Sequence, residues 1–242
     1  NLNNQVHELN DSTEDIENDN EISENISLNN MKYILDKQKN FPKQNIINDD
    51  LEMIMCGIRS TFIDVVHSML ETDRPIGALL SGGLDSSLIV SIASKYVKNL
   101  HTYSIGIPGS TDKYYAELVS KYCNTNHTHF ELTNDEFINA IDEVIYATET
   151  YDITTIRASV GQYLVSKKIS ETTNIKVLLI GDGSDELTGG YMYFHKSPNP
   201  KDTQNETKRL LDEIHYFDVL RADRGIASNG LEARVPFLNH KF

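Results

Sequence analysis

Tryptophan is absent from the 242 residues and cysteine nearly so, with only Cys56 and Cys123. Two cysteines cannot build a disulfide framework, so both read as small core residues or surface thiols of a reducing, cytoplasmic compartment. No apolar run approaches the roughly 18 residues of a membrane-spanning helix, and the sequence opens without the pattern of a secretion signal. Positive charge is short: 22 Lys and Arg face 36 Asp and Glu, for a net charge of -14. With no basic stripe, nucleic acid is a poor partner. Residues 1–30 contain no Lys, Arg, Phe or Tyr, yet hold Glu8, Asp11, Glu14, Asp15, Glu17, Asp19, Glu21 and Glu24, eight of those fourteen net charges. Such an acidic, Asn-rich segment cannot bury enough apolar surface to offset its ordering entropy. It is expected to be disordered or a linker, with one domain over 31–242.

Beyond it the patterning changes. Leu51, Ile54, Met55, Ile58, Phe62, Val65, Val66 and Met69 repeat at helical spacing. Apolar runs at Pro75–Leu80, Leu100–Ile107, His127–Leu132 and Lys176–Ile180 read as strands. Helices are expected after the first run and over Asp112–Tyr122, Asp135–Thr148 and Val160–Thr172. Alternation of this kind predicts the α/β class, a parallel twisted sheet with helices on both faces. Ligands of such sheets sit beyond the C-terminal strand ends, where Ser81, Ile105 and Gly181 fall. His127 and His129 alternate on one strand without a third metal ligand at useful spacing, and read as sheet residues.

The richest segment joins the first strand to its helix: Ser81-Gly82-Gly83-Leu84-Asp85-Ser86-Ser87. Glycines between a strand and a helix let an anion approach the main chain, and the helix N-terminus adds its positive dipole end. The lysine of a Walker loop is missing. Hydroxyls of Ser81, Ser86 and Ser87 are donors instead, and Asp85 can hold Mg²⁺ against phosphate. The plain alternative is a tight strand-to-helix turn.

The loop resembles that of the N-type ATP pyrophosphatase (PP-loop) superfamily. Three later segments sharpen the likeness: Tyr151–Ser159 (YDITTIRAS), Gly181–Tyr191 (GDGSDELTGGY), and Leu220–Arg224 with Gly230–Leu238 (GLEARVPFL). In this order they resemble the synthetase domain of the glutamine-hydrolysing asparagine synthetase family, from about Asp50 to Phe242. The resemblance implies an adenine nucleotide alpha hydrolase-like fold and an ATP-dependent ligase. In such a ligase the side-chain carboxylate of aspartate takes AMP from ATP, pyrophosphate leaves, and ammonia displaces AMP to give asparagine. It implies ATP and Mg²⁺, the metal between Asp85 and Asp185, and an adenosine pocket at Leu80, Ile105, Ile180 and Gly181. Thr154, Thr155, Arg157 and Asp218 are implied as substrate groups, and Asp182 as the base for ammonia attack, with Arg157 and Asp185 beside it. It admits a homodimer and places a glutaminase domain, which supplies ammonia, outside this sequence. The family also continues past the position of Phe242 with further helices and a lysine directed to the reacting phosphate.

Two positions depart from the family: Asp182 stands where glutamate is usual and Ile180 where serine is common. They keep a second reading open, a catalytically impaired nucleotide-binding module of the same fold. Asp182 also has a non-catalytic alternative, as the cap of a helix starting near Ser184, and Asp218 has one as a solvent-facing helix acid. Arg221, Asp223, Arg224, Glu232 and Arg234 are expected to form a structural ion-pair network.

Overall fold

The computed structural model describes residues 48–242, so the segment expected to be disordered at 1–30 lies outside the described residues. The unit Ile54–Phe242 carries everything that follows. After helix α1 (Asn48–Ser68) come β1 (Ile76–Leu79), α2 (Leu84–Ala93), β2 (His101–Gly106), α3 (Thr111–Cys123) and β3 (Asn126–Glu131). Helices α4 (Asn134–Asn139), α5 (Ile141–Thr148) and α6 (Ile153–Thr172) lead to β4 (Val177–Leu179). Then follow α7 (Ser184–Thr188), α8 (Pro200–Glu213), α9 (Asp218–Ala227) and β5 (Glu232–Arg234). The five strands form one sheet in the order β3-β2-β1-β4-β5. Every pairing is parallel.

Period-two alternation sends neighbouring side chains of this sheet to opposite layers. Ala78, Leu80 and Leu179 join Phe62 and Val66 of α1 and Ile89 and Val90 of α2 on one face. Tyr103, Leu178 and Ile180 join Val165 and Ile169 of α6 and Ala222 and Ile226 of α9 on the other. Strand β4 is buried at all three positions, as expected of a central parallel strand covered on both faces. A third cluster, with Val144, Ile156, Val160 and Leu164, fastens α5 to α6.

Local chemistry explains where the elements differ from expectation. The helix expected over Asp135–Thr148 is two helices that meet at Ala140; Thr133 and Glu136 cap the first reciprocally. Helix α6 begins at Ile153 rather than Val160, because the Asp152 carboxylate accepts the Thr155 backbone N–H at 2.8 Å and caps it there. Thr154–Ser159 are therefore helical. Strand β5 has only three residues with charged ends, too short for periodicity to mark; pairing with buried β4 makes it a strand.

The layer between α3 and the β2–β3 edge is unusually polar. Thr102 Oγ1 lies 3.0 Å from His127 Nδ1, and Ser104 Oγ lies 3.0 Å from His127 Nε2 and 2.7 Å from His129 Nδ1. Both imidazoles are thus sheet residues, and burial lowers the pKa of each, helped by the charge of His129 on His127 and of Lys113 on His129. Glu117, Glu131 and Asp112 oppose that shift. A histidine depressed in the folded state gives stability that is full above its unfolded value, about 6.5, and is lost as pH falls from there through its lower folded value. The urea-unfolding free energy is therefore expected to drop as pH falls below about 6.5, by less than about 1.4 kcal/mol per pH unit for His127 and by less again for the more exposed His129. His127→Gln should flatten that slope. An equal slope in parent and variant would assign the pH dependence elsewhere.

Candidate active site

Strand order places β1 at the centre, with β2 on one side and β4 on the other. The chain leaves β1 toward one side and returns on the other, so a crevice opens beyond the C-terminal ends of β1 and β4. The two most chemically distinctive segments of the sequence, Ser81–Ser87 and Gly181–Glu186, meet there. Gly181 packs so closely on α2 that a Cβ would lie 3.3 Å from the Ser86 amide nitrogen.

The loop after β1 is held by backbone shape. Gly82 has φ 82°, and a Cβ there would meet the backbone of Tyr115 on α3 at 2.5 Å, so both conformation and space require glycine. Ser81 Oγ and Ser86 Oγ lie 3.0 Å apart, and Ser86 Oγ also donates to the Gly83 carbonyl. No side chain caps α2 at Gly83, which leaves its first-turn N–H groups for a ligand.

Two adjoining cavities open at this point. The first, about 280 Å³, is lined by Ser81, Gly83, Asp85 and Ser86 from the loop, Ile180–Glu186 from the β4 side, and Tyr191, Asp218 and Arg221. The second, about 440 Å³, is more apolar, with Leu80, Ile105, Phe137 and Val165 in its walls and Ser104 and Asp112 as polar groups. Leu79, Ser81, Gln162, Asp182 and Arg221 line both.

Carboxylates dominate the first cavity. Asp85 Oδ1 accepts the Ser184 hydroxyl at 2.8 Å. The Asp185 carboxyl is pushed up by burial and then by the charges of Asp85 and Asp218. Asp218 is pushed up by burial and by Glu186, although Arg221 pulls it the other way. Glu186 is 3% exposed and accepts the Tyr191 hydroxyl. Arg221 is the cation of this group. Its Nη2 lies 2.5 Å from Asp218 and 3.1 Å from Asp182; burial disfavours its charge, but the two carboxylates outweigh burial and raise its pKa.

The structure thus gathers Ser81, Gly83, Asp85, Ser86, Ile180, Gly181, Asp182, Asp185 and Asp218 in one cavity, and Leu80 and Ile105 in its neighbour. Gly82 shapes the loop without lining either cavity, and Ser87 keeps a buried hydroxyl with no partner. Ile180 is 1% exposed and belongs to the core facing α6, so a side chain in a serine's place has been absorbed by packing. Thr154, Thr155 and Arg157 line neither cavity: Thr155 is buried, Thr154 is exposed, and Arg157 borders a separate apolar hollow beside Phe137 and Ile145.

Asp182 does not cap α7. The cap is Gly183, at φ 84°, with no side-chain bond, and the Asp182 carboxylate is taken by Gln162 and Arg221 instead. Asp218 faces the cavity, not solvent, with its side chain 16% exposed. Of the expected ion-pair network, Arg224 pairs with Glu149 and Arg234 with Glu232, whereas Arg221 belongs to the site. Sequence reasoning gave Arg221 only a structural role and overlooked Gln162, Glu186 and Tyr191. The signal for Arg221 was its place one helical turn after Asp218; Gln162, inside an ordinary helical stretch, gave none.

Among the described residues no three His, Cys, Asp or Glu side chains are grouped to hold a metal ion, and no helix is long and apolar enough to cross a membrane.

Comparison with known proteins adds the following. Residues 57–211 and 196–242 match the family model described as asparagine synthase. The chain is 49% identical over 199 residues to the glutamine-hydrolyzing asparagine synthetase of Mus musculus, covering 80% of this chain and 36% of that protein. The Homo sapiens protein of the same name is 48% identical over the same length and coverage. The chain therefore spans 36% of the length of the curated relatives it matches. Among solved structures, an NH3-dependent NAD synthetase from Campylobacter jejuni aligns with TM-score 0.39 and 14% identity over 73% of this chain and 96% of that one. An NMN synthetase from Francisella tularensis aligns with TM-score 0.39 and 14% identity over 63% and 70%.

The raised carboxyl of Asp185 yields a direct expectation. Asp185→Asn removes a half-buried like charge, so the ligand-free protein at pH 7 should unfold roughly 2–4 °C higher. Thermal unfolding of the ligand-free protein measures the effect; an unchanged midpoint would show that the acidic cluster carries no strain.

Proposed function

Because the chain belongs to the asparagine synthase family, we propose that it is the synthetase part of a glutamine-dependent asparagine synthetase. It uses ATP to convert aspartate to asparagine, with ammonia released from glutamine on a glutaminase domain outside this chain. The observation that carries the reading is the meeting of Ser81–Ser87 and Gly181–Glu186 across the crevice between β1 and β4, at an uncapped helix N-terminus. The low cysteine content suits a cytoplasmic enzyme. A homodimer is compatible with this reading.

In the first step an oxygen of the aspartate side chain attacks the α-phosphorus of ATP, and the bond to the bridging oxygen breaks as pyrophosphate leaves. Two anions must meet, so the site has to neutralise charge. The first-turn N–H groups of α2, left uncapped, and the hydroxyl of Ser81 take the pyrophosphate oxygens, and the apolar second cavity takes adenosine against Leu80 and Ile105. Asp85 and Asp185 suit Mg²⁺, because they repel each other and are hard oxygen donors on one cavity, and they would hold it there. When bound, the metal offsets phosphate charge. Asp218 is the acid placed to receive the amino group of aspartate.

In the second step the lone pair of ammonia attacks the carbonyl carbon of the β-aspartyl adenylate. The C–O bond to phosphate breaks, AMP leaves with that electron pair, and Asp182 accepts the proton shed by nitrogen. The alternative of an impaired nucleotide-binding module is disfavoured by near-half identity to named synthetases and by the carboxylate retained and held at position 182.

Aspartate-dependent exchange of labelled pyrophosphate into ATP, in the intact protein, tests the reading. Exchange that required a different carboxylate substrate would overturn it. Asp85→Asn keeps an acceptor for Ser184 but removes a charged ligand; exchange should fall at least about 100-fold while the melting temperature stays within about 2 °C. An undiminished rate would reduce Asp85 to a turn residue.

A further inference from the structure

We infer that Gln162 orients the amide-forming step: its amide nitrogen holds Asp182, and its carbonyl oxygen receives an N–H of the attacking ammonia. The inference rests on the asparagine-forming reading above.

Three observations carry it. First, the Asp182 carboxylate is gripped at both oxygens, by Gln162 Nε2 at 2.7 Å on Oδ2 and by Arg221 Nη2 at 3.1 Å on Oδ1. An aspartate is one methylene shorter than the glutamate usual here, so its reach depends on where these donors hold it. Second, an ionised carboxylate only accepts hydrogen bonds, so the NH2 half of the amide must face Asp182 and Oε1 must point elsewhere. Third, Gln162 Oε1 is buried and has no partner within the protein. A bare buried carbonyl oxygen is costly, and native structures rarely keep one without a reason.

Its location supplies the reason. Gln162 lines both cavities, together with Asp182 and Arg221, where the loop side and the nucleotide side meet. Ammonia that attacks a carbonyl carbon must direct its lone pair at that carbon, so its three N–H bonds point back into the protein. Asp182 takes one, which becomes the proton transferred. Gln162 Oε1 takes a second and so sets the direction of approach. One side chain thereby fixes both the base and the nucleophile.

The obvious competitor for Oε1 is a nucleotide donor, a ribose hydroxyl or the adenine amino group, because the second cavity also touches Gln162. The test separates the two. In the intact protein, with ammonium chloride as nitrogen donor and saturating aspartate, ATP and Mg²⁺, asparagine and AMP are measured together. Gln162→Met keeps length and flexibility but removes donor and acceptor. Asparagine formed per AMP released should fall about 10-fold and KM for ammonium rise at least about 5-fold, while KM for ATP moves less than about twofold. Gln162→Glu keeps the shape yet sets a carboxylate against Asp182, and should give the same split.

A double-mutant cycle with Asp182→Glu adds a readout that a structural role would not move. The longer base needs less holding, so Gln162→Met should cost markedly less in that background. A rise in KM for ATP would assign Oε1 to the nucleotide and overturn the inference. So would a parallel loss of asparagine and AMP, or an equal cost in both backgrounds. A parent protein that releases no AMP with aspartate would overturn the asparagine reading, and this inference with it; release in the parent with any of the preceding results removes the inference alone.

Discussion

Contact between the loop after β1 and the backbone of α3 decides where everything else in the site can be. At Gly82 the chain runs with φ 82° directly against Tyr115, leaving no room for a side chain. That contact turns the chain from β1 into α2 across the four residues Leu80–Gly83, so the uncapped N-terminus of α2 opens beside the end of β4. A wider turn would move the free N–H groups away from Gly181, and the carboxylates of Asp85 and Asp185 would no longer share a cavity. Backbone sterics therefore set the electrostatics: the positive end of one helix lies among the acids of another segment.

Those acids are only partly balanced. Arg221 serves Asp182 and Asp218 together, and its charge survives burial because of them. Asp185 is raised by burial and then by its acidic neighbours, with no cation opposing them. The cavity is thus divided into a half neutralised by the protein itself and a half whose negative charge meets no cation among the described residues. A stable fold would have no use for the second half. Its persistence is the usual sign of a site that gives up stability for ligand affinity.

Much of this was legible in the sequence because the chemistry is contiguous. Ser81–Ser87 and Gly181–Glu186 each carry their glycines, hydroxyls and carboxylates within a few residues, and alternating strands and helices say that both end on one edge of a sheet. What escaped was assembled by tertiary structure. Gln162 sits in the middle of α6 with nothing to mark it; its role arises because β4 ends beneath it and presents Asp182. Arg221 reads from the sequence as one more member of a structural ion-pair network; packing of α9 on α6 brings it into the site instead. Arg157, the residue with the clearest look of an anion ligand, stands on the first turns of a helix that starts earlier than its apolar periodicity indicates, and faces another hollow. Asp152, a favoured cap residue directly before Ile153, is the sequence signal that moves the helix start.

The hydrogen bond from Ser184 to Asp85 joins residues 99 positions apart, and β1 pairs directly with β4. By contrast β1, β2 and β3 are joined by short local crossovers. Loop-closure cost grows only slowly with length, but it must be met before the pairing of β1 with β4 returns anything. The crevice therefore depends on a non-local contact: the Ser81–Ser87 loop is set by β1, α2 and α3, while its opposing wall exists only where β4 has docked beside β1. An intact crevice is in that sense a report on completed topology rather than on local compaction.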